Sequence, residues 1–239
     1  MQAFDSLSRD IQQYIYDKGW PSLTSIQNAA IKQVANTDHN LILSAPTASG
    51  KTEAAFIPAL NSVEDWETGL KVLYISPLKA LINDQFQRIS ELSEYLDIPI
   101  TRWHGEVSQA QKRKVVNQPK GVLLITPESI EGMLVNRPGE AEHLFKGVEW
   151  IIIDELHSFL GTERGIHLQS LLQRISRFMQ APRFIAMSAT LNKKDFGYAK
   201  AFFGSPRHTD ILVDRDKNDL FITIDYTRGE TGPFVARES

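Results

Sequence analysis

The sequence predicts an α/β fold with a mostly parallel central sheet and helices on both faces. Three observations carry this. Short apolar runs rich in Val, Ile and Leu recur along the chain without polar alternation, as expected of strands buried on both faces. Amphipathic, helix-length stretches separate these runs, the alternation of a doubly wound sheet. The first run, 41–44, leads into a loop of small residues and then into Lys51 and Thr52 at a helix start, the P-loop arrangement.

Taken in order, residues 1–36 read as helices ahead of the first strand, interrupted at Pro21 and Ser22. Strands follow at 41–44, 72–76, 122–126, 151–154 and 184–187, with a weaker one at 98–102. Helices are expected at 79–96, 109–117, 129–136 and 165–179. The helix after the P-loop carries Pro58, which leaves the Ala54 carbonyl without its helical donor and should bend the helix. Beyond Met187, residues 195–203 look helical, and 211–213 and 220–226 look like strands. The main domain is therefore expected to span 37–226. The polar stretch 227–239, with Gly229, Gly232 and Pro233, reads as a linker or frayed end.

The P-loop reading implies chemistry. Backbone N–H groups of such a loop and of the helix start cradle phosphate oxygens. Pro46, Thr47, Ala48, Ser49 and Gly50 are the candidate loop. Lys51 is the partner for the outer phosphates, and the Thr52 hydroxyl is a ligand for Mg²⁺. Ala45 stands where the generic pattern has its first Gly.

Ligands of an open parallel sheet bind beyond the carboxyl ends of its strands. Four more polar motifs sit at such ends: SPLKA from Ser76, TPES from Thr126, DELH from Asp154 and SAT from Ser188. Adjacent strand residues point to opposite faces, so Asp154 and Glu155 serve one site only if the strand stops there. One carboxylate can then hold hydrated Mg²⁺ while the other activates water. The competing reading is a strand-to-helix cap.

Composition narrows the classes. The chain has 239 residues, 42% hydrophobic and 23% charged, enough for a packed core. The formal net charge of −3 shows no overall basic footprint, so any nucleic-acid contact must be local. The absence of cysteine excludes disulfides, thiol catalysis and Cys-ligated zinc. The apolar runs are far shorter than the ~18 residues of a membrane helix, and the cytoplasm is the expected setting, with no membrane partner.

APTASGKT, SPLKAL, TPES, DELH and SAT, in this order, resemble motifs I, Ia, Ib, II and III of the first motor domain of superfamily-two DExH-box helicases. GWPSLTSIQ, residues 19–27, resembles the Q motif. DELHSFLGTERG, WHGE and TPESIEGML are similar to the large helicase-related (Lhr-like) branch. The resemblance implies a RecA-like P-loop NTPase domain that uses ATP and Mg²⁺. It further implies that Gln27 reads the adenine edge, with Trp20 packed nearby. Lys51, Asp154 and Glu155 would form the hydrolytic set, with Thr52 and Asp154 on the metal. His157, Ser188 and Thr190 would couple nucleotide state to the nucleic-acid side. Pro77, Lys79, Gly105, Thr126, Pro127, Glu128 and Arg164 would line the path of one strand.

Plainer readings stand beside these. Gln27 could be a surface helix residue, Lys79 and Arg164 solvated charges, and His104 and His157 hydrogen-bonded structural groups. Ser188 and Thr190 could cap a helix. Trp103 is expected to pack rather than stack on a base, and Lys112, Arg113 and Lys114 to form a solvated face. No later helicase motif follows Thr190, so the expectation is the N-terminal motor domain of a larger helicase or translocase, with its second RecA-like domain elsewhere. Its partner would be single-stranded or partly duplex nucleic acid, DNA favoured over RNA. A protein-directed ATPase and a nucleotide-gated binding module are the alternatives.

Overall fold

The computed structural model describes residues 3–46, 48–189, 191–216 and 219–223, without the side chains of 215–216 and 219–223. Thr47, Thr190 and the expected linker at 227–239 lie outside the described residues.

The chain begins with α1 (Arg9–Asp17) and α2 (Ser25–Asn36), then β1 (Asn40–Ser44) and α3 (Lys51–Ser62). It continues through β2 (Gly69–Ile75), α4 (Lys79–Tyr95), β3 (Ile100–Trp103), α5 (Gln109–Asn117) and β4 (Lys120–Ile125). Next come α6 (Pro127–Asn136), α7 (Pro138–Phe145), β5 (Trp150–Ile153), α8 (Glu163–Ser176) and β6 (Arg183–Ser188). The last elements are α9 (Phe196–Ala201), β7 (Thr209–Asp216) and β8 (Asp219–Thr223). One eight-stranded sheet results, in the order β3-β4-β2-β5-β6-β1-β7-β8. All neighbours pair in parallel except β7 with β8, which is antiparallel.

The strands alternate between two cores. Leu41, Leu43, Val72, Tyr74, Ile152 and Ile185 face one core, shared with α1 to α4. Ile42, Leu73, Ile75, Ile151, Ile153 and Ala186 face the other, shared with α6 to α9. Burial on both faces explains why these strands read as unbroken apolar runs. The helix starts are marked chemically: Ser8, Ser108, Thr126 and Thr162 each accept from a backbone N–H of the first turn. Thr24 and Gln27 form a full capping box on α2.

α3 runs through Pro58 without interruption. The short α7 has no counterpart in the sequence reading. It begins at Pro138 and buries only Ala141, Leu144 and Phe145, too few for a helical period. The expected strand at 220–226 is observed as β8 up to Thr223.

Candidate functional site

The P-loop leaves β1 at Ala45 and closes on Gly50, the N-cap of α3, at φ 85°. Glycine is required there twice over. The left-handed backbone favours it, and a Cβ would stand 2.6 Å from Gln27 Nε2. Gln27 is 4% exposed, not a surface helix residue. Its Oε1 accepts from the Thr24 N–H at 2.9 Å, and its Nε2 reaches the Gly50 carbonyl at 3.5 Å. The Thr24 hydroxyl donates to the Ser49 carbonyl at 3.3 Å. The Q-motif-like segment thus clasps the P-loop. Trp20 packs edge-on against Tyr14, ring centroids 6.2 Å apart.

Lys51 Nζ donates to the carbonyls of Ala45 and, at 2.7 Å, Pro46, inside the curve of the loop. Burial lowers its pKa, against the opposing pull of Glu155 and Asp154. Thr52 Oγ1 donates to Gln85 Oε1 on α4 at 3.1 Å. A cavity of about 360 Å³ brings Gly50, Lys51, Thr52, Asp154, Glu155 and His157 together.

β5 ends at Ile153, as two carboxylates in one site require. The Asp154 N–H still donates to the Ile75 carbonyl at 2.8 Å. Glu155 then takes a left-handed conformation, φ 49° and ψ 46°, which turns the chain. No glycine marks this turn, so the sequence carries no sign of it. Asp154 is 6% exposed. Its Oδ2 accepts the Tyr74 hydroxyl, and its Oδ1 accepts the Glu155 N–H at 2.9 Å. Burial raises the Asp154 pKa and the Glu155 charge adds to this, while the Tyr74 and backbone hydrogen bonds and Lys51 oppose it. Tyr74 is pushed well up by its own burial and by Asp154.

His157 Nδ1 lies 3.3 Å from the Ala189 N, 3.4 Å from Ser188 Oγ and 3.1 Å from Glu155 Oε2. One ring nitrogen offers a lone pair or a proton, not both. With the lone pair it accepts from Ala189 on the β6 side. With the proton it donates to Glu155.

On the neighbouring strand ends, Arg164 of α8 donates to Glu128 Oε1 at 2.6 Å and to the Pro77 carbonyl. It therefore ties together the turns after β2 and β4. Thr126 caps α6, and Pro127 occupies its first turn. Lys79 pairs with Glu106 on the surface, and Gly105 has open space where a side chain would stand. Trp103 packs into the second core, and Arg113 and Lys114 lie exposed on α5. His104 corrects an expectation: it is buried, yet neither ring nitrogen has a hydrogen-bond partner. Burial lowers its pKa.

Two residues beside the site escaped the sequence reading. Gln85 and Tyr74 hold Thr52 and Asp154, respectively. Only Tyr74 left a trace, as the single aromatic side chain in an aliphatic run. Gln85 left none, because its reach to Thr52 depends on how α4 crosses α3.

The sequence profile of the DEAD/DEAH box helicases matches residues 24–196. The chain belongs to the DEAD/DEAH box helicase family. Within superfamily two it is similar to the Lhr-type helicases. The ATP-dependent helicase Lhr-Core of Methanocaldococcus jannaschii is 29% identical over 241 residues, covering 93% of this chain and 28% of that protein. The Lhr helicase/uracil glycosylase of Escherichia coli is 32% identical over 79% of this chain and 13% of its own length. The structure of Mycobacterium smegmatis helicase Lhr bound to ssDNA and AMP-PNP superposes with a TM-score of 0.78 at 27% identity. That match covers 90% of this DEAD/DEAH box chain and 28% of the mycobacterial one. The parallel RecA-like sheet and ATP dependence are family properties. No helix among the described residues is long and apolar enough to cross a membrane.

Proposed function

We propose that this chain is the ATP-binding motor domain of an ATP-dependent helicase or translocase acting on nucleic acid, DNA favoured over RNA. The strand order carries the reading. β1, β6 and β5 are adjacent and bear the P-loop, Ser188 and the Asp154–Glu155 pair. β3, β4 and β2 form the other half and bear Gly105, Thr126 to Glu128 and Pro77. One rim thereby offers the candidate hydrolytic residues beside the candidate backbone-tracking ones.

In this reading Lys51 exchanges the Ala45 and Pro46 carbonyls for outer phosphate oxygens. The loop residues Pro46, Thr47, Ala48, Ser49 and Gly50 surround the phosphates, and Gln27 serves the adenine while holding the loop. Thr52 and Asp154 offer a hydroxyl and a carboxylate, the oxygen donors a hard divalent cation takes, and they would hold Mg²⁺. When bound, Mg²⁺ neutralises charge on the outer phosphates. Glu155 orients the attacking water and takes its proton. His157, by choosing between Glu155 and the Ser188–Ala189 turn, couples that half to the rest of the rim, and Thr190 shares this coupling role. Pro77, Lys79, Gly105, Thr126, Pro127, Glu128 and Arg164 follow a strand's backbone, so sequence specificity is not expected. The mycobacterial relative bound to ssDNA supports DNA as the track. A second RecA-like domain would close the cleft, and a cytoplasmic setting goes with ATP as the fuel.

The test is ATP hydrolysis by the full-length parent, alone, with single-stranded DNA and with single-stranded RNA, beside a Lys51→Ala control. Strong stimulation by DNA that the control abolishes is the expected result. Equal turnover with and without either polymer would point to a protein-directed ATPase.

A further inference from the structure

We propose that His39, His208 and Asp210 form a binding site for a divalent transition-metal cation of the zinc class. The site lies at the rim opposite the nucleotide cavity. His39 immediately precedes β1, His208 immediately precedes β7, and Asp210 is the second residue of β7. All three therefore gather at the amino ends of two paired parallel strands, where Asn40 stands beside Thr209 and Leu41 beside Asp210.

The geometry is that of a ligand set. One ligand atom from each side chain can be chosen so that all lie within 4.8 Å of one another. Asp210 Oδ2 is 2.7 Å from His39 Nδ1, and Asp210 Oδ1 is 3.2 Å from His208 Nε2. Tetrahedral zinc, with bonds of about 2.0–2.1 Å, sets its ligand atoms about 3.3 Å apart, so adjustments on the order of 1 Å suffice. Two imidazoles and a carboxylate are donors that suit zinc, cobalt or nickel better than magnesium. The fourth position falls to water.

Hydrogen bonding accounts for only half of the cluster. Asp210 is 1% exposed as a side chain. Its Oδ2 is well served by His39 and by Gln33 Nε2 at 2.5 Å. Its Oδ1 and the facing His208 Nε2 are buried and have no hydrogen-bond partner, although they approach to 3.2 Å. A buried carboxylate oxygen and a buried ring nitrogen that face each other at 3.2 Å without hydrogen-bond geometry recover little of the solvation they lose. A cation held between them satisfies both.

The surroundings fit. Gln33 reaches the cluster from α2 and fixes the carboxylate, as outer-shell groups do at metal sites. The neighbouring cations are committed elsewhere: Arg183 donates to the carbonyls of His39 and Val34, and Arg207 pairs with Asp38. A hollow of about 600 Å³ lined by residues 35–39 and Arg183 gives an entry path beside His39. A metal here would staple the end of α2 and the start of β1 to β7, a stabilising role remote from hydrolysis.

The experiment uses the tag-free chain stripped with chelator and titrated with Zn²⁺ and, separately, Co²⁺. Expected are one equivalent of Zn²⁺ bound, a rise in melting temperature of at least about 3 °C, and the intense visible absorption of four-coordinate Co²⁺. His39→Ala and His208→Ala should each weaken binding at least about tenfold. Asp154→Asn should leave it intact, which separates this site from the nucleotide cavity. Both histidines are partly exposed, and circular dichroism checks that each variant folds. Should either alanine variant not fold, His208→Gln takes its place with the same expected loss. Absence of Zn²⁺ binding by the unmutated chain, or binding unchanged in the histidine variants, would overturn the proposal.

Discussion

Asp154 concentrates the conflict between stability and chemistry in this domain. Its carboxyl is buried and its pKa is raised above the ordinary 3.8, chiefly by desolvation. The folded state then holds the proton more tightly than the unfolded one. Stability is therefore greatest below the ordinary value and falls as pH rises through the folded pKa. At neutral pH the ionised Asp154 is a net cost. Asp154→Asn removes the buried charge and keeps one oxygen for the Glu155 N–H, while the Tyr74 hydroxyl can rotate to accept from the new amide N–H. Without nucleotide or added Mg²⁺, the variant should be more stable at pH 7 by on the order of 1 kcal/mol, and should lose that advantage toward pH 3. Thermal melts across pH check it; a variant less stable at pH 7 would contradict it. Arg164 gives the opposite contrast. Its ion pair with Glu128 is partly exposed, so Arg164→Ala should change unfolding free energy by less than about 1 kcal/mol. The same change frees the turns after β2 and β4, and nucleic-acid-stimulated hydrolysis by the parent protein should fall at least about tenfold.

Among the elements, α8 shows how packing overrides what a sequence displays. Gly165 sits in its first turn against the turn that follows Asp154 and Glu155. A Cβ there would stand 1.8 Å from the Phe159 carbonyl oxygen, so α8 and that turn approach as closely as backbones can. Gly165→Ala should destabilise the domain by about 2 kcal/mol or more, despite alanine's better helix propensity. Denaturant unfolding measures this, and a neutral or stabilising result would mean the turn yields easily. Strands β1, β2, β4, β5 and β6 were legible because they are buried on both faces, β2 from Val72 onward, past the irregularity at Lys71. α5 was legible to the residue, opened by its Ser108 cap. α7 was not, because a helix of eight residues with three buried side chains leaves no period to detect.

For the whole molecule, the decisive fact is the order of the strands. It sorts five motifs, spread from Ser44 to Ser188, into two halves of one rim. On the proposed reading a second RecA-like domain completes the hydrolytic half, and an arginine supplied in that way contributes ~10³–10⁵ in rate in related systems. This chain alone should therefore bind nucleotide yet turn over very slowly, with little response to DNA. Steady-state hydrolysis by the isolated chain checks this, and robust DNA-stimulated turnover would contradict it. The sequence by itself determined the α/β alternation, the P-loop, the carboxylate pair and the motif set, because each rests on contiguous residues whose pattern is local. Only the tertiary structure decided that Gln27 clasps Gly50, that Tyr74 and Gln85 hold Asp154 and Thr52, that Arg164 bridges two turns, and that His39 and His208 meet Asp210. Those pairings join residues far apart in the chain, and their register is set by the crossing of helices over the sheet, which no local pattern encodes.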